Sequence, residues 1–284
     1  MLLPMEAERS AEGMVDYHLH TVRCGHAVGA LEDYVSRAEE LGLVEIGFSD
    51  HFPLLHVDDS SLSMSLEELP EYVQEIGDLA ARAPWLTIRL GIEVDYLEGY
   101  IDRLAGLLQP YPFDYILGSV HYLDGWGFDD PRYLEGYRGR DILTLWERYF
   151  QVLGDAAECG LFDVLAHPDL IKKFGFRPQA DVRRLYEACL DRVAESGLAV
   201  EVSTAGLRKP AGEIYPGEDF LRLCREREIP VTLGSDAHEP GEVGWGFEKA
   251  VAALRRAGYR EILLFRDRKR SFLRLPPPGL NPWI

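Results

Sequence analysis

The chain has 284 residues, 46% of them apolar, and a formal net charge of −18. That length suits one large domain or two small ones, and α/β barrels of this size are ordinarily one. So acidic a surface repels nucleic-acid phosphates and anionic lipid, and no apolar run in the sequence is long enough to span a membrane.

Residues 1–14 carry Glu6, Glu8 and Glu12 and lack a basic stretch followed by an apolar one. They read as a flexible N-terminal tail and not as a secretory signal. Apolar, β-branched or aromatic runs then alternate with longer amphipathic ones. The expected strands are Val15–His20, Glu45–Asp50, Thr87–Val94, Tyr115–His121, Asp163–His167, Ala199–Ser203 and Val231–Ser235, with a weaker one at Glu261–Phe265. The expected helices are Leu31–Leu41, Leu66–Arg82, Tyr100–Leu108, Ile142–Cys159, Val182–Ser196, Phe220–Glu228 and Phe247–Ala257. Ser65 and Glu68 have capping-box spacing, although Pro70 argues for a helix that begins near it. Gly42, Gly160, Gly197 and Gly258 follow helical runs, where a left-handed stop is easiest.

Strands that are almost continuously apolar and alternate with helices argue for a parallel sheet. Seven or eight such units predict a closed or nearly closed α/β barrel spanning residues 15–270, with chemistry at the C-terminal strand ends. Residues 271–284, with Pro276-Pro277-Pro278, read as a Pro-rich C-terminal tail. Phe52–Ser65 and Tyr122–Asp141 are too long for simple turns, and the second has the composition of a lid. The four cysteines are far apart and form no CxxC pair, which predicts a reduced, cytoplasmic protein.

Seven of the eight histidines fall at or just after the ends of apolar runs. His18-Leu19-His20 and Asp236-Ala237-His238 place paired ligand types two residues apart, on one face of a strand end. A lone strand histidine is ordinarily structural; the same device near both ends of the chain points to metal. His26, His51, Glu93, His121 and His167 complete the candidates, with Asp50 and Asp95 as further carboxylates of open role. His56 lies in a loop with Asp58 and Asp59 and reads as a surface residue. Imidazole and carboxylate donors suit Zn, Mn or Fe ions, and clusters of such ions suit phosphoester hydrolysis. Arg208 and Lys209 follow the sixth strand, and Lys172 and Lys173 follow His167. Arg208, Lys209 and Lys173 are the candidate phosphate contacts.

The order of these motifs resembles the PHP (polymerase and histidinol phosphatase) family. Asp16-Tyr17-His18-Leu19-His20-Thr21, Cys24-Gly25-His26, Phe48-Ser49-Asp50-His51, Gly91-Ile92-Glu93, Gly118-Ser119-Val120-His121, Ala166-His167-Pro168-Asp169 and Gly234-Ser235-Asp236-Ala237-His238 carry the resemblance. The segment from Ser203 to Pro210, with Gly206-Leu207-Arg208-Lys209, favours the monofunctional histidinol-phosphatase branch. The resemblance implies a distorted (β/α)7 TIM-like barrel with three divalent ions. It implies one ion on His18, His20, Glu93 and Asp236, a second on Glu93, His121 and His167, and a third on His26, His51 and His238. A metal-bound hydroxide held by Glu93, His121, His167 and Asp236 would attack phosphorus. The implied substrate is a small phosphate ester, L-histidinol phosphate, with Asp95 or Asp124 meeting its amine and imidazole by charge sign alone. No nucleic-acid or membrane partner is expected, and the oligomeric state, monomer or homodimer, stays open. The rival readings are a PHP-type phosphodiesterase or exonuclease acting on nucleotides, an amidohydrolase, and a metal-storing barrel without turnover.

Overall fold

The structure, a computed structural model, describes residues 13–277. Residues 1–12 of the expected N-terminal tail (1–14) and residues 278–284 of the expected Pro-rich tail (271–284) lie outside the described residues. The strands are β1 (Val15–Leu19), β2 (Glu45–Phe48), β3 (Thr87–Asp95), β4 (Tyr115–Ser119), β5 (Tyr122–Leu123), β6 (Trp126–Gly127), β7 (Val164–Leu165), β8 (Ala199–Ser203), β9 (Val231–Gly234), β10 (Glu261–Arg266) and β11 (Lys269–Arg274). The helices are α1 (Leu31–Glu40), α2 (Leu69–Arg82), α3 (Ile101–Leu108), α4 (Ile142–Glu158), α5 (Arg183–Ser196), α6 (Glu218–Glu226) and α7 (Phe247–Ala257).

Seven strands form one sheet in the order β1-β2-β3-β4-β7-β8-β9, every neighbouring pair parallel. The backbone of Ala237, just beyond β9, closes this sheet into a barrel. Its N–H donates to the His18 carbonyl (3.1 Å) and its carbonyl accepts from the His20 N–H (2.9 Å). The expected (β/α)7 TIM-like barrel is thus the observed fold. No helix among the described residues is long and apolar enough to cross a membrane.

Aromatic side chains fill the barrel interior below the strand ends. The Tyr17 and Tyr115 rings lie 4.9 Å apart, and Phe265 of β10 lies 5.8 Å from Tyr115. Gly47 and Gly91 make room for Tyr115: a Cβ at Gly91 would fall 2.3 Å from its Cζ. The Tyr115 hydroxyl donates to the Tyr17 carbonyl at 2.7 Å. Buried Glu45 accepts from the Tyr17 hydroxyl and twice from Arg89, at 2.8 and 3.1 Å.

The weak eighth strand does not enter the barrel. β10 pairs antiparallel with β11 as a hairpin, and Leu263 accepts from Thr232 of β9 at 3.1 Å. This moves the expected boundaries. Ser271–Arg274 belong to the hairpin and not to a tail, and Met14 is buried in the core. The Ser65–Glu68 box forms reciprocally, at 2.8 and 3.3 Å, one turn before α2. The helix itself starts at Leu69 with Pro70 in its first turn, where the missing N–H costs nothing.

Candidate metal centre

Each expected ligand stands at a C-terminal strand end or in the turn beyond it. Most expected strands were drawn too long, because the ligand-bearing residues leave the sheet. His167 and Asp236 take left-handed backbone (φ 27° and 55°), conformations that side-chain-bearing residues adopt only when the surroundings impose them.

All nine expected ligands converge, and Glu93 lies among them with 1% exposure. Its two oxygens face different sets of imidazoles. Oε1 lies 2.9 Å from His167 Nε2 and 3.7 Å from His121 Nε2. Oε2 lies 2.9 Å from His51 Nδ1, 3.3 Å from His18 Nε2 and 3.8 Å from His20 Nε2. Asp236 Oδ1 sits 3.1 Å from His20 Nε2 and 3.9 Å from His18 Nε2. Burial alone would push the Glu93 and Asp236 carboxyls up; the facing imidazoles, His51 and His18 for Glu93 and His18 and His20 for Asp236, hold both well below the usual range.

The hydrogen bonds behind the rings fix their tautomers. His18 Nδ1 donates to Glu201 (2.7 Å), His20 Nδ1 to Asp50 (3.2 Å) and His121 Nδ1 to Asp95 (3.0 Å). Nε2 is then the nitrogen that each ring turns toward the cavity, where it would offer its lone pair to a metal once deprotonated. His26 Nδ1 donates to the carbonyls of Cys24 and Ser61, and His238 Nδ1 to that of Asp236. Both Nε2 atoms are then acceptors, yet they face each other at 3.0 Å. Desolvation at the cavity and the neighbouring imidazoles push both rings toward the neutral form, His26 to about 4. Two lone pairs so placed repel unless a cation lies between or beside them.

Buried His18 Nε2 and Glu93 Oε2 have no hydrogen-bond partner among the described residues. Asp50, Glu93 and Glu201 are buried, and none of them pairs with lysine or arginine among the described residues. The missing positive charge, the orphaned nitrogen and oxygen atoms and the mixed nitrogen–oxygen ligand set all fit divalent metal ions. The triads close enough to hold one include His18–His20–Asp236, His18–Glu93–His167 and His26–His51–His238.

A cavity of about 510 Å³ opens onto this cluster, within the size range of small-molecule sites. Arg208, Lys209 and Lys173 all line it. Arg208 is held by Glu242 (Nε to Oε1, 2.7 Å) and by the carbonyls of Ser235 and Asp236 (3.0 and 2.9 Å). Lys173 Nζ donates to Asp129 at 2.9 Å, and Lys209 is exposed at the rim. Lys172 does not reach the cavity. It is buried against Asp169 (2.6 Å) and the Ile214 carbonyl (3.0 Å), because the short helical turn Leu170–Lys172 sends adjacent lysines to opposite sides.

Two other expectations fail. Asp124 pairs outside with Arg148 at 2.7 Å, so of the two acids suggested for the substrate's amine only Asp95 lines the cavity. His56 is not a surface residue: it packs edge-on to Tyr122 (4.3 Å), and both ring nitrogens are shielded, without partners among the described residues. The two long loops form the rim, joined by Arg132 Nη1 to Asp59 at 3.0 Å. Sequence reasoning missed Glu201, Asp129, Tyr215 and Glu242. Only Glu201, a carboxylate inside an otherwise apolar strand, left a trace.

Comparison with known proteins agrees with this geometry. The family profile described as PHP domain matches residues 16–205, and one described as PHP-associated matches residues 220–248. A Deinococcus radiodurans protein named "Probable histidinol-phosphatase" is 44% identical over 90% of this chain and 98% of its own. The histidinol-phosphatase of Bacillus subtilis is 30% identical over 82% of this chain and 96% of its own. A histidinol phosphate phosphatase from Lactococcus lactis, solved with zinc, L-histidinol and phosphate, has the same fold. Its TM-score is 0.79 at 22% identity, covering 92% of this chain and 100% of that one.

Proposed function

The chain belongs to the PHP domain family, and from that membership we propose that it hydrolyses L-histidinol phosphate to L-histidinol and inorganic phosphate. Relatives matching along nearly their whole length carry that activity in their names. The observation that carries the reading is the division of Glu93, one oxygen toward His121 and His167 and the other toward His18, His20 and His51.

In this reading the cluster holds three ions, of zinc, manganese or iron. His18, His20 and Asp236 with one oxygen of Glu93 would hold one, His121 and His167 with the other oxygen a second, and His26, His51 and His238 the third. Divalent ions so held activate water and neutralise charge on phosphoryl oxygens. The protein's own groups orient and bind. Glu201, Asp50 and Asp95 lock the imidazoles in the ligating tautomer. Arg208, anchored by Glu242, offers Nη1 to the phosphoryl group. Lys173 and Lys209 add positive charge where the overall field is negative. Asp95 meets the cationic end of the substrate. The enzyme so described serves histidine biosynthesis in the cytoplasm.

The test is phosphate release from L-histidinol phosphate by metal-loaded protein and by His18→Ala. Loss of an outer-sphere partner typically costs 10–100-fold, so loss of a ligand should cost at least about 100-fold. Equal release by the two proteins overturns the reading. Faster turnover of oligonucleotides or bis-phosphorylated nucleosides transfers it to the phosphodiesterase alternative.

A further inference from the structure

Arg208 Nη1 and the Tyr215 hydroxyl, both of residues lining the cavity, are hydrogen-bond donors with no acceptor among the described residues. Tyr215 is 1% exposed and rigidly held. Its backbone exchanges two hydrogen bonds with Ser203 at the end of β8, at 2.6 and 2.9 Å. The ring lies against Gly206, where a Cβ would fall 2.8 Å from Cζ. Lys172 Nζ lies 5.4 Å from the ring centroid. A ring so constrained cannot turn its hydroxyl toward a better partner, and a buried unpaired hydroxyl is unfavourable. Burial and nearby carboxylates keep the phenol protonated, hence a donor. The missing partner is an acceptor that a ligand brings. Arg208 needs an acceptor in the same cavity, which makes that ligand an anion with several oxygens.

We propose that Tyr215 is a substrate-contacting residue, its phenolic O–H donating to a phosphoryl oxygen of the group that Arg208 grips. The identity of the whole substrate rests on the phosphatase reading; the contact to phosphate does not.

Tyr215→Phe removes one oxygen and keeps the ring. Metal-loaded wild type and variant are titrated calorimetrically with inorganic phosphate, and metal content is measured in both. A hydrogen bond to a charged group is strong enough that the phosphate Kd should rise about tenfold or more. Metal content should stay equal, and KM for L-histidinol phosphate should rise more than kcat falls. A Kd within twofold of wild type overturns the proposal. So does a loss of metal that accounts for the weaker binding, since Tyr215 would then be structural, and so does a wild type that binds no phosphate. If wild type binds phosphate without hydrolysing L-histidinol phosphate, the substrate reading falls while the Kd comparison still decides Tyr215.

Discussion

Glu201 places both of its carboxylate oxygens behind the metal centre. Oε1 accepts from His18 Nδ1, and Oε2 accepts from the His167 backbone N–H at 2.6 Å. One side chain thereby sets the ring of one ligand and the backbone of another. Glu201→Gln preserves the shape but turns an NH2 group toward one of two donors. Zinc affinity, measured against a chromophoric chelator, should fall about 10–100-fold. An unchanged affinity would reduce Glu201 to a packing residue. Its trace in the sequence, a glutamate between valines, is ambiguous, because it equally fits the solvent face of an alternating strand; only barrel closure puts it inside. The candidate ligands were legible for the opposite reason, since their residue types have no bland role at six strand ends at once. Tyr215 was invisible, with no spacing to tie it to the histidines.

Among the elements, the strands are held apart by what their glycines leave out. Gly47 on β2 and Gly91 on β3 flank the Tyr115 ring, and any side chain there enters it. Gly91→Ala should destabilise the fold by about 1–3 kcal/mol through overpacking, read as a lower urea midpoint with an unchanged slope. Full retention of the midpoint would mean that the ring has room to move. Helix positions were readable to within a few residues, because amphipathic periodicity and glycine stops are local signals. Strand ends were less so. Histidine and aspartate continued the apparent runs, whereas His167 and Asp236 turn away from the ladder in left-handed conformations. The β10–β11 hairpin escaped for a related reason: Lys269, Arg270 and Ser271 are exposed, and a polar outer strand looks like a tail.

For the molecule as a whole, a buried group of acids that meets only histidines, and no lysine or arginine among the described residues, means that the folded state is incomplete without cations. Removing them with a chelator should lower the melting temperature, and zinc or manganese should restore it. An ion at 100 times its Kd stabilises by about 2.7 kcal/mol, which for a chain this size is a shift of about 5–10 °C. A melting temperature indifferent to chelation would mean that the acids are neutralised in some other way. The barrel and its rim of long loops were foreseeable at this scale, but the domain edges were not, since burial of Met14 and pairing of Ser271–Arg274 depend on distant strands.

The Ala237 backbone is hydrogen-bonded between His18 and His20, so the joint that shuts the barrel and the joint that assembles the ligands are one stretch of chain. During synthesis the earliest histidines leave the ribosome long before their partners at 236 and 238 exist. It follows that the nascent polypeptide cannot complete this set of side chains until residues 236–238, just beyond β9, have emerged.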